Sequence, residues 1–138
     1  MNAKPYLVEI GENLTRVGLD AVLIGNAAAA LQGAPVTTVD FDFMFRKTPG
    51  NLTKLRRVAD DLGAVVMRPY YPASQWYRVV RDRDGLQLDF MPKVNGISRY
   101  ESLRSRATTM KIGQGELRVA ALEEVASPVA ARPMARLA

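Results

Sequence analysis

The sequence predicts one domain of the α/β or α+β class, in which helices flank a mixed β-sheet. Its 138 residues suffice for a single hydrophobic core. A content of 48% hydrophobic and 24% charged residues is typical of a globular protein. Strand-like segments and helical periodicities are interspersed without the regular alternation of a parallel βαβ fold. No linker or repeat divides the chain, so we expect residues 1–126 to form the domain and the proline-containing residues 127–138 to form a frayed tail.

The first elements in the chain are predicted to be a helix, a strand and a short second helix. Apolar residues recur at helical spacing from Pro5 to Val17, and Gly18 follows where a helix would end. The continuous apolar run from Ala21 to Ile24 is typical of a buried strand. Gly25-Asn26 then leads into the sequence AAAALQ, which we expect to be a brief helix that ends at Gly33.

The segment from Thr37 to Arg46 (TTVDFDFMFR) has the alternating pattern of a strand. Its apolar residues at 39, 41, 43 and 45 share one parity, whereas Asp40 and Asp42 share the other. The strand is therefore expected to bury a phenylalanine face and to present two carboxylates on the opposite face.

Periodicity and turn residues predict the remaining elements. Thr48-Pro49 starts a helix whose apolar stripe ends at Gly63. The further strands expected are Ala64 to Met67, a hairpin of Trp76 to Arg81 and Leu86 to Met91 that turns at Asp84-Gly85, and a hairpin of Thr108 to Ile112 and Glu116 to Ala120 around Gly113-Gln114-Gly115. A last helix is expected to begin over Leu122 to Val125.

The composition excludes several kinds of site. The chain has no cysteine and no histidine, which removes disulfides, Ser-His-Asp triads, structural zinc and haem. Metal binding by oxygen atoms alone favours Mg²⁺ or Mn²⁺. A net charge of +5 suits a polyanionic partner such as a nucleotide or RNA, although many soluble proteins carry such an excess for solubility alone. No apolar run is long enough for a membrane span and the first residues lack a signal core, so we expect a cytoplasmic protein with no membrane partner.

Three aspartates form a candidate metal site. Asp40 and Asp42 project from one face of a strand, roughly 6–7 Å apart along it, and Asp89 lies on the polar face of its own strand. We predict that the two strands are neighbours, so that the three carboxylates converge. Divalent cations would then remove their repulsion and clamp a phosphoryl transfer. The alternative for so short a motif is a solvated strand face. Asp82 and Asp84 repeat the motif at a hairpin tip, where we expect turn chemistry.

The Gly25-Asn26 pair distinguishes the first aspartate motif from the second. A strand–glycine–helix junction leaves backbone N–H groups free and directs the positive helix end at an anion, which suits a triphosphate. The alternative is a glycine that serves only a tight turn. Arg46 directly follows the aspartate strand, where it either contacts a phosphate or is an ordinary loop residue.

Together these residues resemble the nucleotidyltransferase superfamily, whose members share a fold with DNA polymerase β. That family has a Gly-Gly or Gly-Ser pair at a helix start, a Dx[DE] strand shortly after it and a third acid on another strand. By this resemblance, Gly25 and Asn26 hold the β- and γ-phosphates. Asp40 and Asp42 would bind both metals, and Asp89 would bind one metal and help to activate the attacking hydroxyl.

The segment VLIGNAAAALQGAPVTTVDFD also resembles small prokaryotic members, including AbiEii-like toxins of toxin–antitoxin systems. Gly33 matches the glycine before their loop. Thr38 matches their threonine ahead of the first aspartate, which adds Thr38 to the expected nucleotide-binding residues. Two features depart from the family: Asn26 stands where Gly or Ser is usual, and Pro128 and Pro133 interrupt a stretch that is usually a basic helix.

The resemblance implies Mg²⁺- or Mn²⁺-dependent transfer of a nucleoside monophosphate from an NTP to an acceptor hydroxyl, with pyrophosphate leaving. The acceptor would be a tRNA 3′ end, a protein side chain or a small molecule such as an antibiotic. A toxin role would add a cognate antitoxin as a partner. The alternative is a catalytically degenerate module that keeps the fold and acts by nucleotide or partner-protein binding, which Asn26 and the short tail favour. A plain RNA-binding domain would leave the three aspartates unexplained.

Overall fold

The computed structural model describes residues 4–33, 40–67, 76–92 and 100–121. Within these ranges the chain forms α1 (Lys4–Val17), β1 (Ala21–Ile24), α2 (Gly25–Leu31), β2 (Asp40–Phe45), α3 (Pro49–Leu62), β3 (Val65–Met67), β4 (Tyr77–Arg81), β5 (Leu86–Met91), α4 (Tyr100–Arg106), β6 (Thr108–Ile112) and β7 (Gly115–Val119). These elements make a mixed sheet with flanking helices, so the predicted fold class is confirmed.

The strands lie in the order β3-β4-β5-β2-β1-β7-β6. Strand β2 is parallel to β5, and β1 is parallel to β7. The other neighbouring pairs are antiparallel. The predicted adjacency of the two aspartate strands is confirmed, because β2 pairs with β5 with Asp42 opposite Asp89.

The phenylalanine face of the sheet forms the core beneath α1 and α3. Phe41, Phe43 and Phe45 are fully buried, as their shared parity predicts. Phe43 stacks on Phe90 of β5 with ring centroids 5.0 Å apart. The buried apolar residues of the two helices are Leu7, Ile10 and Leu14 of α1 and Leu55, Val58, Ala59 and Leu62 of α3. The opposite face of β2 is thereby left for the aspartates.

Helix α3 begins and ends where its sequence predicts. The Thr48 hydroxyl accepts a hydrogen bond of 3.1 Å from the backbone N–H of Asn51, and Pro49 occupies the first turn. Gly63 ends the helix with φ +69°, a left-handed conformation that costs glycine little because it has no Cβ. These local signals explain why this helix was predictable from sequence.

Arg81 connects the first hairpin to both core helices. Its side chain is only 2% exposed. It donates to Glu9 of α1 at 2.7 Å, to Asp84 of the turn at 2.8 Å and to the carbonyl oxygen of Leu62 at 3.2 Å. Asp84 also accepts from the backbone N–H of Leu86 at 3.2 Å. The turn role predicted for Asp84 is therefore confirmed.

Helix α4 was not predicted from the sequence. Only Tyr100 and Leu103 of its seven residues are buried, so the segment shows too little apolar periodicity to indicate a helix. The first three residues of the strand predicted from Thr37, the helix expected at Leu122 and the tail 127–138 lie outside the described residues. No helix in the described part of the chain is long and apolar enough to cross a membrane.

Candidate active site

The strand register places Asp42 and Asp89 side by side. Residues opposite each other on neighbouring strands project to the same face of a sheet. Asp40 lies on that face as well, opposite Gln87 of β5. One row of residues thus crosses five strands: Ile24 of β1, Asp42 of β2, Asp89 of β5, Arg78 of β4 and Met67 of β3. The candidate site is the middle of this row.

Gly25 lies directly against Asp42. Because Ile24 pairs with Asp42, the following residue, which is the first of α2, reaches the same carboxylate. Gly25 has φ +73°, and a Cβ at this position would lie 2.9 Å from Asp42 Oδ2. Both the backbone conformation and the space therefore require glycine. The residue before the helix, Ile24, makes no side-chain hydrogen bond to the first N–H groups of α2, which suits binding of an anion.

The negative charges of the carboxylates on this face repel one another. Burial raises the pKa of Asp42 to about 7, and the negative charges of Asp89 and Asp40 add to the effect, while Arg78 acts against it. Burial also raises the pKa of Asp89, although hydrogen bonds from Arg78 and Gln87 lower it. A divalent cation would remove this repulsion. Carboxylate oxygens are ligands that Mg²⁺ and Mn²⁺ prefer, so the chemistry of these side chains suits either cation.

Both carboxylate oxygens of Asp89 accept hydrogen bonds from Arg78. Arg78 Nε donates to Oδ1 at 2.9 Å and Nη2 to Oδ2 at 3.2 Å. Gln87 Nε2 donates to Oδ2 at 3.3 Å. Among the described residues, no group of three or more acidic side chains is spaced to hold a metal ion. Asp40, Asp42 and Asp89 therefore share a face without forming a closed three-acid cluster.

Arg78 was not predicted to be a site residue. The available sequence signal was the alternation of β4, in which Tyr77, Val79 and Arg81 are buried and Arg78 and Val80 are half-buried. Alternation shows which face of its own strand a residue occupies, but it does not show which strand lies next to it. Only the pairing of β4 with β5 makes Arg78 a neighbour of an aspartate.

Arg46, Asn26 and Thr38 were also predicted to be site residues. Arg46 lies beyond the opposite end of β2, where it pairs with Glu101 at 2.6 Å and faces the Tyr100 ring at 5.8 Å. It connects β2 to α4 and is not brought together with Asp42. Asn26 is the exposed second residue of α2. Thr38 lies outside the described residues.

We expect Gly25→Ala to lower both nucleotide affinity and stability. An L-residue at this positive φ costs about 1–2 kcal/mol, and the added Cβ must displace the carboxylate of Asp42. Gly18→Ala is a matched control, because Gly18 has φ +79° and nothing within 4 Å of an added Cβ. Thermal unfolding should show a lower melting temperature for both variants, whereas calorimetry should show weaker nucleotide binding only for Gly25→Ala. Equal nucleotide binding by the two variants would contradict the close approach to Asp42.

The raised pKa of Asp42 predicts a pH-dependent difference in stability between the wild type and Asp42→Asn. The folded protein holds this proton more tightly than the unfolded chain, because the pKa rises from 3.8 to about 7 on folding. The stabilisation is complete below about pH 4 and is lost as the pH rises to about 7. We therefore expect Asp42→Asn to melt roughly 10 °C above the wild type at pH 8 and close to it at pH 4. Melting curves across this range, with no added metal, measure the difference, and a constant offset would contradict it.

Comparison with known proteins identifies the fold. No protein-family model matches the sequence, and a search of curated proteins finds no match. TM1012 from Thermotoga maritima, a proposed nucleotidyltransferase, superposes with a TM-score of 0.64 at 19% identity, over 91% of this chain and 83% of TM1012. The antibiotic-resistance factor ANT(2″)-Ia superposes with 0.58 at 17% identity, over 88% of this chain and 67% of its own. JHP933 from Helicobacter pylori superposes with a TM-score of 0.51 at 17% identity, over 88% of this chain and 52% of JHP933. The chain has the nucleotidyltransferase fold.

Proposed function

We propose that this protein transfers a nucleoside monophosphate from an NTP to an acceptor hydroxyl in a reaction that depends on Mg²⁺ or Mn²⁺. The observation that carries the proposal is the junction of Gly25 with Asp42, next to Asp89 on the parallel strand. The junction combines a helix that begins at a glycine, which suits phosphate binding, with neighbouring carboxylates, which suit a hard cation. The fold shared with TM1012 supports the same reading.

Each residue of the site has a distinct role in this proposal. Asp40, Asp42 and Asp89 would hold the cation, which stabilises the negative charge of the phosphates during transfer. The N–H groups at Gly25 and Asn26 would bind the β- and γ-phosphates. Asp89 would orient the acceptor hydroxyl and accept its proton. The acceptor oxygen bonds to the α-phosphorus as the bond to the β-phosphate oxygen breaks, and pyrophosphate leaves with that electron pair.

The acceptor and biological setting belong to the same proposal. The net charge of +5 favours a polyanionic acceptor such as a tRNA 3′ end. A protein side chain or a small molecule is the other acceptor class. The resemblance to AbiEii-type toxins motivates a toxin role with a cognate antitoxin as partner, in the cytoplasm.

A second candidate function is a catalytically degenerate module that binds a nucleotide or a partner protein. Two observations favour it: Arg78 occupies both oxygens of Asp89, and Asn26 replaces the small residue expected beside Gly25. Such a module would bind NTP without transferring any part of it.

Calorimetric titration of each NTP, with and without Mg²⁺, is the first test. We expect one or more NTPs to bind only with Mg²⁺, and labelled NTP then to modify an acceptor in mixtures of bulk tRNA or protein. Metal-dependent binding without transfer to either acceptor class would favour the degenerate module. Absence of binding by well-folded protein would overturn both readings of the site.

A further inference from the structure

The bidentate contact between Arg78 and Asp89 lies at the proposed site and is buried. The Asp89 side chain is 1% exposed and that of Arg78 is 20% exposed. Two parallel N–H···O bonds from an arginine fork hold a carboxylate in a fixed orientation more firmly than a single contact does. Asp89 is therefore held toward β4, on the side of its strand away from Asp42.

This contact conflicts with direct binding of a cation to Asp89. Both oxygens of Asp89 are engaged, and a guanidinium charge within 3.2 Å of them repels any other cation that approaches. A cation bound between Asp42 and Asp89 would therefore have to displace Arg78. The displaced arginine would then need another anion, because it is mostly buried.

A bound triphosphate would supply that anion. Arg78 lies two strands from Asp42, about 10 Å away at ordinary strand spacing, with Asp89 between them. Phosphates bound near Gly25 and Asp42 are thus within reach of a long arginine side chain, and phosphate oxygens accept the same fork as a carboxylate does. Gln87 donates independently to Asp89 Oδ2, so we expect this contact to remain when Arg78 moves.

We propose that Arg78 is a positioning residue that holds Asp89 in the free protein and moves to a phosphate of the bound NTP. Asp89 then becomes available to the cation only when nucleotide is present, so that metal and NTP bind together. This inference rests on the proposed function and adds to it the order in which the ligands enter the site.

The chain contains a spectroscopic probe of this movement. Trp76 is its single tryptophan, it is buried, and the Arg78 guanidinium lies 4.9 Å from its ring centroid. Movement of a cation away from an indole face changes the electrostatic environment of the ring. Trp76 is also a hydrogen-bond neighbour of Asp89. Tryptophan emission therefore responds to a change in the contact between Arg78 and Asp89 in the wild-type protein, without any substitution.

The test combines Trp76 fluorescence with calorimetry on the full chain. For the wild type, we expect Mg²⁺ alone to bind weakly and to leave the emission unchanged, and Mg²⁺ with a binding NTP to change it. Arg78→Met keeps the apolar stem but removes the charge. It should bind Mg²⁺ alone about tenfold more tightly than the wild type, and its emission should respond to Mg²⁺ alone and change little further when NTP is added. Arg78→Lys should restore weak Mg²⁺ binding, because it restores the charge.

Controls separate this inference from the proposed function. Arg83→Met removes an equal charge from the exposed hairpin turn and should bind Mg²⁺ as the wild type does. If Arg78→Met fails to fold, Arg78→Gln replaces it, because Gln keeps a hydrogen-bond donor for Asp89 without the charge, and the wild-type fluorescence test remains. Two outcomes would overturn the role of Arg78 and leave the proposed function standing. They are NTP binding with unchanged Trp76 emission, and equal Mg²⁺ affinity in Arg78→Met and the wild type. Absence of any NTP binding would overturn the proposed function and this inference together.

Discussion

Asp42→Asn should reduce metal-dependent nucleotidyl transfer by at least about 10³-fold. The substitution keeps the shape of the side chain and removes the charge of the residue that contacts both Gly25 and the Asp89 strand. A cation at this site would lose a ligand, and phosphates held at Gly25 would lose the cation that neutralises them. Transfer of labelled NTP and calorimetric binding of Mg²⁺ with NTP measure the effect.

Asp82→Asn is the matched control for this experiment. Asp82 also belongs to an aspartate pair spaced by one residue, but it is exposed in the hairpin turn. It should retain wild-type binding and transfer. Equal losses of nucleotide binding and transfer in the two variants would show that the net charge of the protein, and not the site at Asp42, governs nucleotide binding. Full activity in Asp42→Asn would overturn the assignment of this carboxylate.

Arg81→Leu should lower the free energy of unfolding by about 3 kcal/mol. The substitution leaves Glu9 and Asp84 without their shared cation and the Leu62 carbonyl without a donor. Exposure of the two carboxylates, 41% for Glu9 and 26% for Asp84, allows water to offset part of the loss. Urea denaturation followed by circular dichroism gives the difference directly.

Arg83→Leu controls for the loss of a positive charge in the same hairpin. Arg83 is exposed, so its replacement should change the free energy of unfolding by less than about 0.5 kcal/mol. Glu9→Gln should have an intermediate effect, because the buried Arg81 retains Asp84. A loss below about 1 kcal/mol in Arg81→Leu would show that this network contributes little net stability.

Local sequence signals determined most of the secondary structure and the face on which each candidate residue lies. Helix α3 was predictable because Thr48, Pro49 and Gly63 act within one turn of its ends. The burial of Phe41 and Phe43 followed from strand alternation, which requires no knowledge of neighbouring strands. These properties depend on residues close together in the chain, so the sequence contains them directly.

Which residues meet at the site depended on long-range strand pairing. The pairing of β2 with β5 was expected from the aspartates and a family resemblance, but alternation alone could not exclude other neighbours. Nothing in the local pattern indicated that Arg78 would pair with Asp89, or that Arg46 would turn to Glu101. Such contacts join residues far apart in sequence, and only the packed sheet fixes their register. Periodicity therefore determined the face of its own strand on which each aspartate lies, whereas the tertiary structure brought the two strands together and decided which charges lie beside them.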